Sequence, residues 1–395
     1  MQHKFGALDL IRAGLQDLDR ARTLFDELHN DGIDDDRMRL LLATLEKACD
    51  PDIALSNLVD IIKVMQSQGK DFTNIIADEN SFVRLITVLG VSDEMGKLMR
   101  FRPELVEAAA NDACESHLYN HEQRRAHVLK SVGADPNDHT MPTASLPLAE
   151  AATALRKTYR KQLAAIMAQD ATANDPIEIQ PRISTELSDL ADAALEGALA
   201  IARHEVDGSE HVRFAIIGMG KLGAQELNYV SDVDLIYVVE PADMDTNGMA
   251  LSRIGTKMAT TLQRVCQSVI MGVAEPTLWQ IDGGLRPEGK DGPLVRRLES
   301  HEAYYEQWAE NWEFQALLKA RPVAGDTDLG QAYMDMTRPF VWTASKRDNF
   351  VYDCQQMRKR VEDLIPNPLK DREIKLGRGC LLYTSPSPRD RQKSR

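Results

Sequence analysis

Apolar positions recur at helical spacing through the first third of the chain. Leu8, Ile11, Leu15 and Leu18 form one such series, and Leu55, Leu58, Ile62 and Met65 a second. Phe82, Leu85, Val88 and Leu89 form a third, ending near Gly90. Asp50-Pro51 marks a helix start and Ser92 an N-cap. Residues 1–132 are therefore expected to be all helical, and the pattern shows no chemistry there. His29, His117, His121 and His127 lie among polar neighbours and fit solvated helix positions. Residues 133–147, rich in Asp, Pro, Asn, Thr and Ser, have the composition of a linker or long loop. Residues 148–210 return to helices that lead into a strand. Arg156, Lys157, Arg160 and Lys161 cluster on the first of these helices, where a charge run is expected to be a solvated face.

At Phe214 the pattern changes. Phe214 to Ile217 is a short buried strand, followed by the glycine turn Gly218, Gly220 and Gly223, a short helix, and a second strand that opens with Ser231-Asp232-Val233-Asp234. Alternation along a strand sends Asp232 and Asp234 to the same face. Two adjacent carboxylates in an apolar strand repel one another and lose hydration, and a hard divalent cation such as Mg²⁺ relieves both effects. Gly218-x-Gly220-x-x-Gly223 also fits the dinucleotide-binding fingerprint, with Glu240 at the distance of a ribose-binding acid. Only eight residues, Ala224 to Ser231, separate the last glycine from Asp232. A parallel crossover needs about a dozen or more. The nucleotidyltransferase reading explains both parts: a glycine turn for phosphates and an Asp-x-Asp strand for metal. The bland alternative is a glycine turn with two surface aspartates.

After Glu240 an amphipathic helix is expected, with Leu251, Ile254, Met258, Leu262, Val265 and Val269 covering the sheet and Cys266 as a small filler. Thr277 to Asp282 (TLWQID) follows as a strand, which puts Asp282 at a strand end and makes it the candidate third carboxylate. Arg286 and Lys290, in the glycine-rich loop beyond it, are expected to face a substrate phosphate. A helix over His301 to Ala320 carries Tyr304, Trp308 and Trp312 as a core stripe. Lys319 and Arg321 at its end are candidates for phosphate contact or for capping the helix dipole. Residues 331–379 are expected to open a further helical domain.

Composition narrows the class. The 395 residues suffice for two or three domains, and 43% hydrophobic with 27% charged residues is ordinary for a soluble globular protein. A net charge of -14 offers no broad basic surface for nucleic acid. Five cysteines with no CxxC spacing and no signal peptide predict a reduced, cytoplasmic protein. No apolar run is long enough to cross a bilayer.

Three blocks, GMGKLGAQELNYVSDVDLIY, DGGLRPEGKDGPLV and YYEQWAENWEFQALLKARPVAGD, resemble the glutamine synthetase adenylyltransferase/adenylyl-removing enzymes. The resemblance covers most of residues 40 to 379. It implies an α+β fold: a DNA polymerase β-like nucleotidyltransferase domain over 211–330, a small mixed sheet with helices, flanked by all-helical regions. It also implies catalytic, Mg²⁺-holding roles for Asp232, Asp234 and Asp282. Nucleotide or phosphate contacts are implied for Gly218, Gly220, Lys221, Ser231, Arg286, Lys290, Lys319 and Arg321, although Lys221 departs from the Gly or Ser usual in the wider superfamily. The family carries two such units, and this chain is similar to the first, the deadenylylating one. Its expected partners are glutamine synthetase, a PII-type nitrogen signal protein, phosphate and ADP/ATP. The expected alternative is a catalytically silent module that senses the signal protein. The ending after Gly379, CLLYTSPSPRDRQKSR, does not follow the family, so residues 380–395 are expected to be a non-native tail on a truncated fragment.

Overall fold

Short polar side chains set the helix starts in the N-terminal part. In the computed structural model, which describes residues 5–70, 72, 75, 77–110, 119–243 and 247–364, α1 is Ala7–Arg12, α2 Leu18–Asn30, α3 Asp35–Leu45 and α4 Pro51–Ser67. Then come α5 (Glu79–Val91), α6 (Asp93–Phe101) and α7 (Pro103–Ala110). Asp17, Asp34, Asp50, Asp78 and Ser92 each accept a hydrogen bond from the amide three residues on, which satisfies a donor the first helical turn leaves open. The second and third apolar series are wholly buried, as their spacing predicts. The first is not. In the short α1, Leu10 points inward while Leu8 and Ile11 are 70% and 55% exposed. The single-turn helix ends before a 3.6-residue period can decide its face.

The chain forms two compact units whose limits differ from the expected ones. One comprises residues up to Tyr119 together with Arg160–Ile183; the other comprises Asn120–Tyr159 and the chain from Ser184 onward. The segment 133–147 is a long loop inside the second unit, the second of the two forms its composition allows, and not a linker between domains. Residues 331–364 do not open a new domain either, because Tyr333 and Ala344 share one apolar cluster with the sheet. The expectations for His117 and for residues 365–395, including the tail, lie outside the described residues.

The second unit contains α8 (His121–Ser131) and parts of α9 (Leu148–Thr172) and α10 (Pro176–Glu205), then a five-stranded mixed sheet. Its strands are β1 (Val212–Gly218), β2 (Val233–Pro241), β3 (Ile281–Asp282), β4 (Val295–Arg296) and β5 (Arg321–Gly325). Between β1 and β2 lies the four-residue α11 (Gly220–Gly223). β1 runs antiparallel to β2 and β5, whereas β3 and β4 run parallel to β2. An antiparallel β1–β2 pair rules out the dinucleotide-binding crossover, which requires parallel strands. Ala215, Ile217, Ile236 and Val238 face a cluster built from α13 (Leu298–Gln307), α14 (Asn311–Leu317) and α15 (Thr327–Thr343). α12 (Gly248–Gln267) packs on the other side, where Gln263 Nε2 reaches Tyr237 Oη at 3.4 Å. The chain then continues into α16 (Phe350–Leu364).

Several local expectations are corrected. Val269 lies beyond the end of α12 and is 90% exposed. Of the strand expected over Thr277 to Asp282, only Ile281–Asp282 pairs. Upstream of it, the Leu278 amide donates to Cys266 O at the end of α12. The helix over His301 to Ala320 breaks at Trp308, which is 74% exposed, and restarts behind a capping box between Glu310 and Glu313. Tyr305, not Trp308, fills the core position. Arg156 and Arg160 are buried, not solvated. Arg156 donates to the carbonyls of Val265, Ser268 and Glu275 and so fixes the chain leaving α12.

Candidate active site

β2 carries the site because its first residues protrude past the end of β1. Asp232 lies just before the strand, and Asp234, Ile236 and Val238 follow at alternate positions, so the aspartates sit at the sheet end of the face that carries the α13–α15 cluster. β3 adds the third acid: in its parallel pairing with β2, Asp282 is the register partner of Asp234. Asp282 Oδ1 accepts the Gly284 amide at 2.7 Å, which fixes its rotamer at the start of the following loop. Burial, and then the charges of Asp232 and Asp282, raise the pKa of Asp234 to about 7 against the opposing charge of Lys221.

The glycine turn closes the site on its second side. The Met219 amide donates to Asp234 O at 2.8 Å, stitching the turn to β2 at the central aspartate. Gly220 has φ +54°, and a Cβ built there would stand 2.4 Å from Asp234 Oδ2, so any side chain at this position would have to displace that carboxylate. Gly223 is equally constrained, since a Cβ would meet Lys319 O at 1.9 Å. Lys221 is buried and its Nζ donates to Ser231 Oγ at 3.3 Å, which places one ammonium beside the three acids. The donor set, carboxylate oxygens whose mutual repulsion Lys221 offsets only in part, suits a hard divalent cation. Among the described residues, however, no three acidic, histidine or cysteine side chains already converge on one point.

A family model described as glutamate-ammonia ligase adenylyltransferase matches residues 82–336, a span that contains every strand of the sheet and all three aspartates. The chain belongs to the glutamate-ammonia ligase adenylyltransferase family. A protein of Bifidobacterium longum (strain DJO10A) is 75% identical over 378 residues, covering 96% of this chain and 35% of its own length. A protein of Cutibacterium acnes is 41% identical over 375 residues, covering 95% of this chain and 37% of its own. Both bear the name bifunctional glutamine synthetase adenylyltransferase/adenylyl-removing enzyme. The chain thus spans about a third of the relatives it matches.

The cationic residues expected to meet phosphate in this family member are placed differently from one another. Only Lys221 stands with the aspartates. Arg286 turns its guanidinium onto its own loop, donating to the carbonyls of Gly283, Lys290 and Gly292. Lys290 is exposed on that loop. Lys319 pairs with Glu226 at 2.7 Å. Arg321 forms a bidentate pair with Asp192 and donates to the carbonyls of Leu222 and Gly223, holding the turn from behind. Asp192 was not a sequence candidate, nor were its neighbours on α10. The available signal is Ser188, Asp192 and Glu196, spaced by four on a helix otherwise rich in Ala and Leu, and all three are buried.

Proposed function

We propose that this chain carries the adenylyl-removing nucleotidyltransferase site of its family. In this reading it removes AMP from an adenylylated tyrosine of glutamine synthetase by phosphorolysis. The observation that carries it is the lateral pairing of Asp234 with Asp282, Asp232 alongside, at the mouth of an antiparallel glycine-turn hairpin. That arrangement supports a DNA polymerase β-like fold for the second unit. Asp232, Asp234 and Asp282 would hold Mg²⁺, which when bound supplies neutralisation of phosphoryl oxygens and of a departing phenolate.

The chain's own groups account for the rest. A phosphate oxygen attacks the adenylyl phosphorus, the bond from phosphorus to the tyrosyl oxygen breaks, and ADP and tyrosinate result; the phenolate takes its proton from solvent. The nucleophile is already an anion, so no general base is needed. Lys221 places its charge at the carboxylate cluster, and Ser231 orients Lys221. Gly220 leaves space for the Asp234 carboxylate. Mass spectrometry of glutamine synthetase tests this directly: the adenylyl group is lost on incubation with the chain, phosphate and Mg²⁺, and retained when phosphate is omitted. Loss that does not depend on phosphate contradicts phosphorolysis.

A second reading has one observation in its favour. Arg286, Lys319 and Arg321 are all committed to protein partners, as suits a silent module that binds a PII-type signal protein. Such a module has no need of divalent cations at the aspartates. Calorimetry with Mg²⁺ therefore separates the two readings.

A further inference from the structure

We propose that Asp192 is a positioning residue that sets the active-site glycine turn through Arg321, an inference that rests on the phosphorolysis reading. The Arg321 guanidinium links two elements. Its Nη1 and Nη2 meet the Asp192 carboxylate at 2.6 and 3.1 Å, while Nη2 and Nε donate to Leu222 O and Gly223 O at 3.1 and 3.3 Å. Those carbonyls close the turn whose other side presses on Asp234 through Gly220. The Asp192 side chain is 1% exposed, so its position is set by the packing of α10.

The same helix also holds the residues that follow the turn and the far end of β5. Ser188 Oγ accepts the Leu227 amide at 3.3 Å, and Asp189 Oδ1 accepts Gln225 Nε2 at 3.0 Å. Gln225 has φ +56°, a conformation that costs a non-glycine residue about 1 kcal/mol and that this contact helps to hold. Glu196 Oε2 accepts the Gly325 amide at 2.6 Å, anchoring β5, the strand that Arg321 opens. A bidentate Arg–carboxylate pair has a defined plane, so it fixes the orientation of the guanidinium as well as its place. If the pair is broken, the Leu222 and Gly223 carbonyls lose their fixed donor and the wall beside Asp234 relaxes. A displacement of about 1 Å at such a site lowers turnover by up to about 100-fold.

The test compares Asp192→Asn and Arg321→Lys with the wild-type chain. Three readouts are used: steady-state deadenylylation, Mg²⁺ affinity by calorimetry, and hydrogen exchange of the amides in residues 219–227. Positioning predicts that both variants lower kcat about 10- to 100-fold. It also predicts KM for inorganic phosphate within about threefold of wild type, faster exchange in 219–227, and weaker Mg²⁺ binding. Direct phosphate binding by Arg321 predicts the opposite split: Arg321→Lys raises KM for phosphate and Asp192→Asn leaves kcat alone. That result overturns the proposal. So does unchanged exchange in residues 219–227 in a folded Asp192→Asn protein. Should the wild-type chain release no ADP, the phosphorolysis reading fails, while exchange and Mg²⁺ affinity still decide whether Asp192 holds the turn.

Discussion

Asp234→Asn should stabilise the metal-free protein at neutral and alkaline pH while removing its activity. Burial and the charges of Asp232 and Asp282 raise the Asp234 pKa from an ordinary 3.8 to about 7. A carboxyl whose pKa is raised on folding binds its proton more tightly in the folded state. Its contribution is therefore full below the unfolded pKa and is lost as pH climbs through the folded pKa, a window from about 4 to about 7. Roughly three units at about 1.4 kcal/mol each give a ceiling on the order of 4 kcal/mol held against the fold at pH 8. Asparagine removes the charge but buries an amide, so about 1–3 kcal/mol of relief is expected to remain. For a unit of this size that is roughly 3–10 °C in Tm. Thermal melts in EDTA should show the variant above wild type at pH 8 and the gap closed at pH 4. Saturating Mg²⁺ should close or reverse the gap, because ligand at about 100-fold its Kd adds about 2.7 kcal/mol to wild type alone. A variant that melts below wild type in EDTA at pH 8, or a gap independent of pH, would refute the reasoning.

Three further outcomes follow from the same coordinates. Gly220→Ala places a methyl group 2.4 Å from Asp234 Oδ2 at φ +54°, so Mg²⁺ affinity by calorimetry should fall at least about tenfold while the far-UV circular dichroism is unchanged. His301 is buried against Tyr305 and Tyr333, and burial pushes its pKa down to about 3. Below about pH 6.5 the unfolded chain takes up a proton that the folded one refuses, so stability should drop by about 1.4 kcal/mol per pH unit down to about pH 3. Acid-induced unfolding should be correspondingly less steep in His301→Phe. Arg156→Met leaves the Val265, Ser268 and Glu275 carbonyls without their buried donor and should cost at least about 1–3 kcal/mol in urea unfolding, with Arg156→Lys restoring little of it.

Legibility in the sequence followed the range of the interactions. β1, β2 and α12 announce themselves because alternation and 3.6-residue spacing are local, and Asp232 and Asp234 follow from β2; Asp282 came from the strand expected over Thr277 to Asp282, of which only the last two residues pair. The same pattern could not show that Leu278, near the start of the strand expected over Thr277 to Asp282, binds the end of α12, since its partner at Cys266 is set by the tertiary fold. Arg156 looked like part of a solvated charge run because its acceptors lie more than a hundred residues away. Arg321 illustrates the same limit at the site itself. Its place after the α14 segment suggested phosphate, but its carboxylate partner is 129 residues earlier, on α10. Composition showed the charge, and only the fold showed what neutralises it.

The central claim is that the three aspartates at the start of β2 and the end of β3 support phosphorolysis. Its most direct test is ADP release from adenylylated glutamine synthetase in phosphate and Mg²⁺, by the wild-type chain and by Asp232→Asn. The account predicts ADP from wild type that is abolished by EDTA and absent from the folded variant. ADP release by Asp232→Asn at the wild-type rate, or none from a wild-type chain shown to bind Mg²⁺, would contradict it.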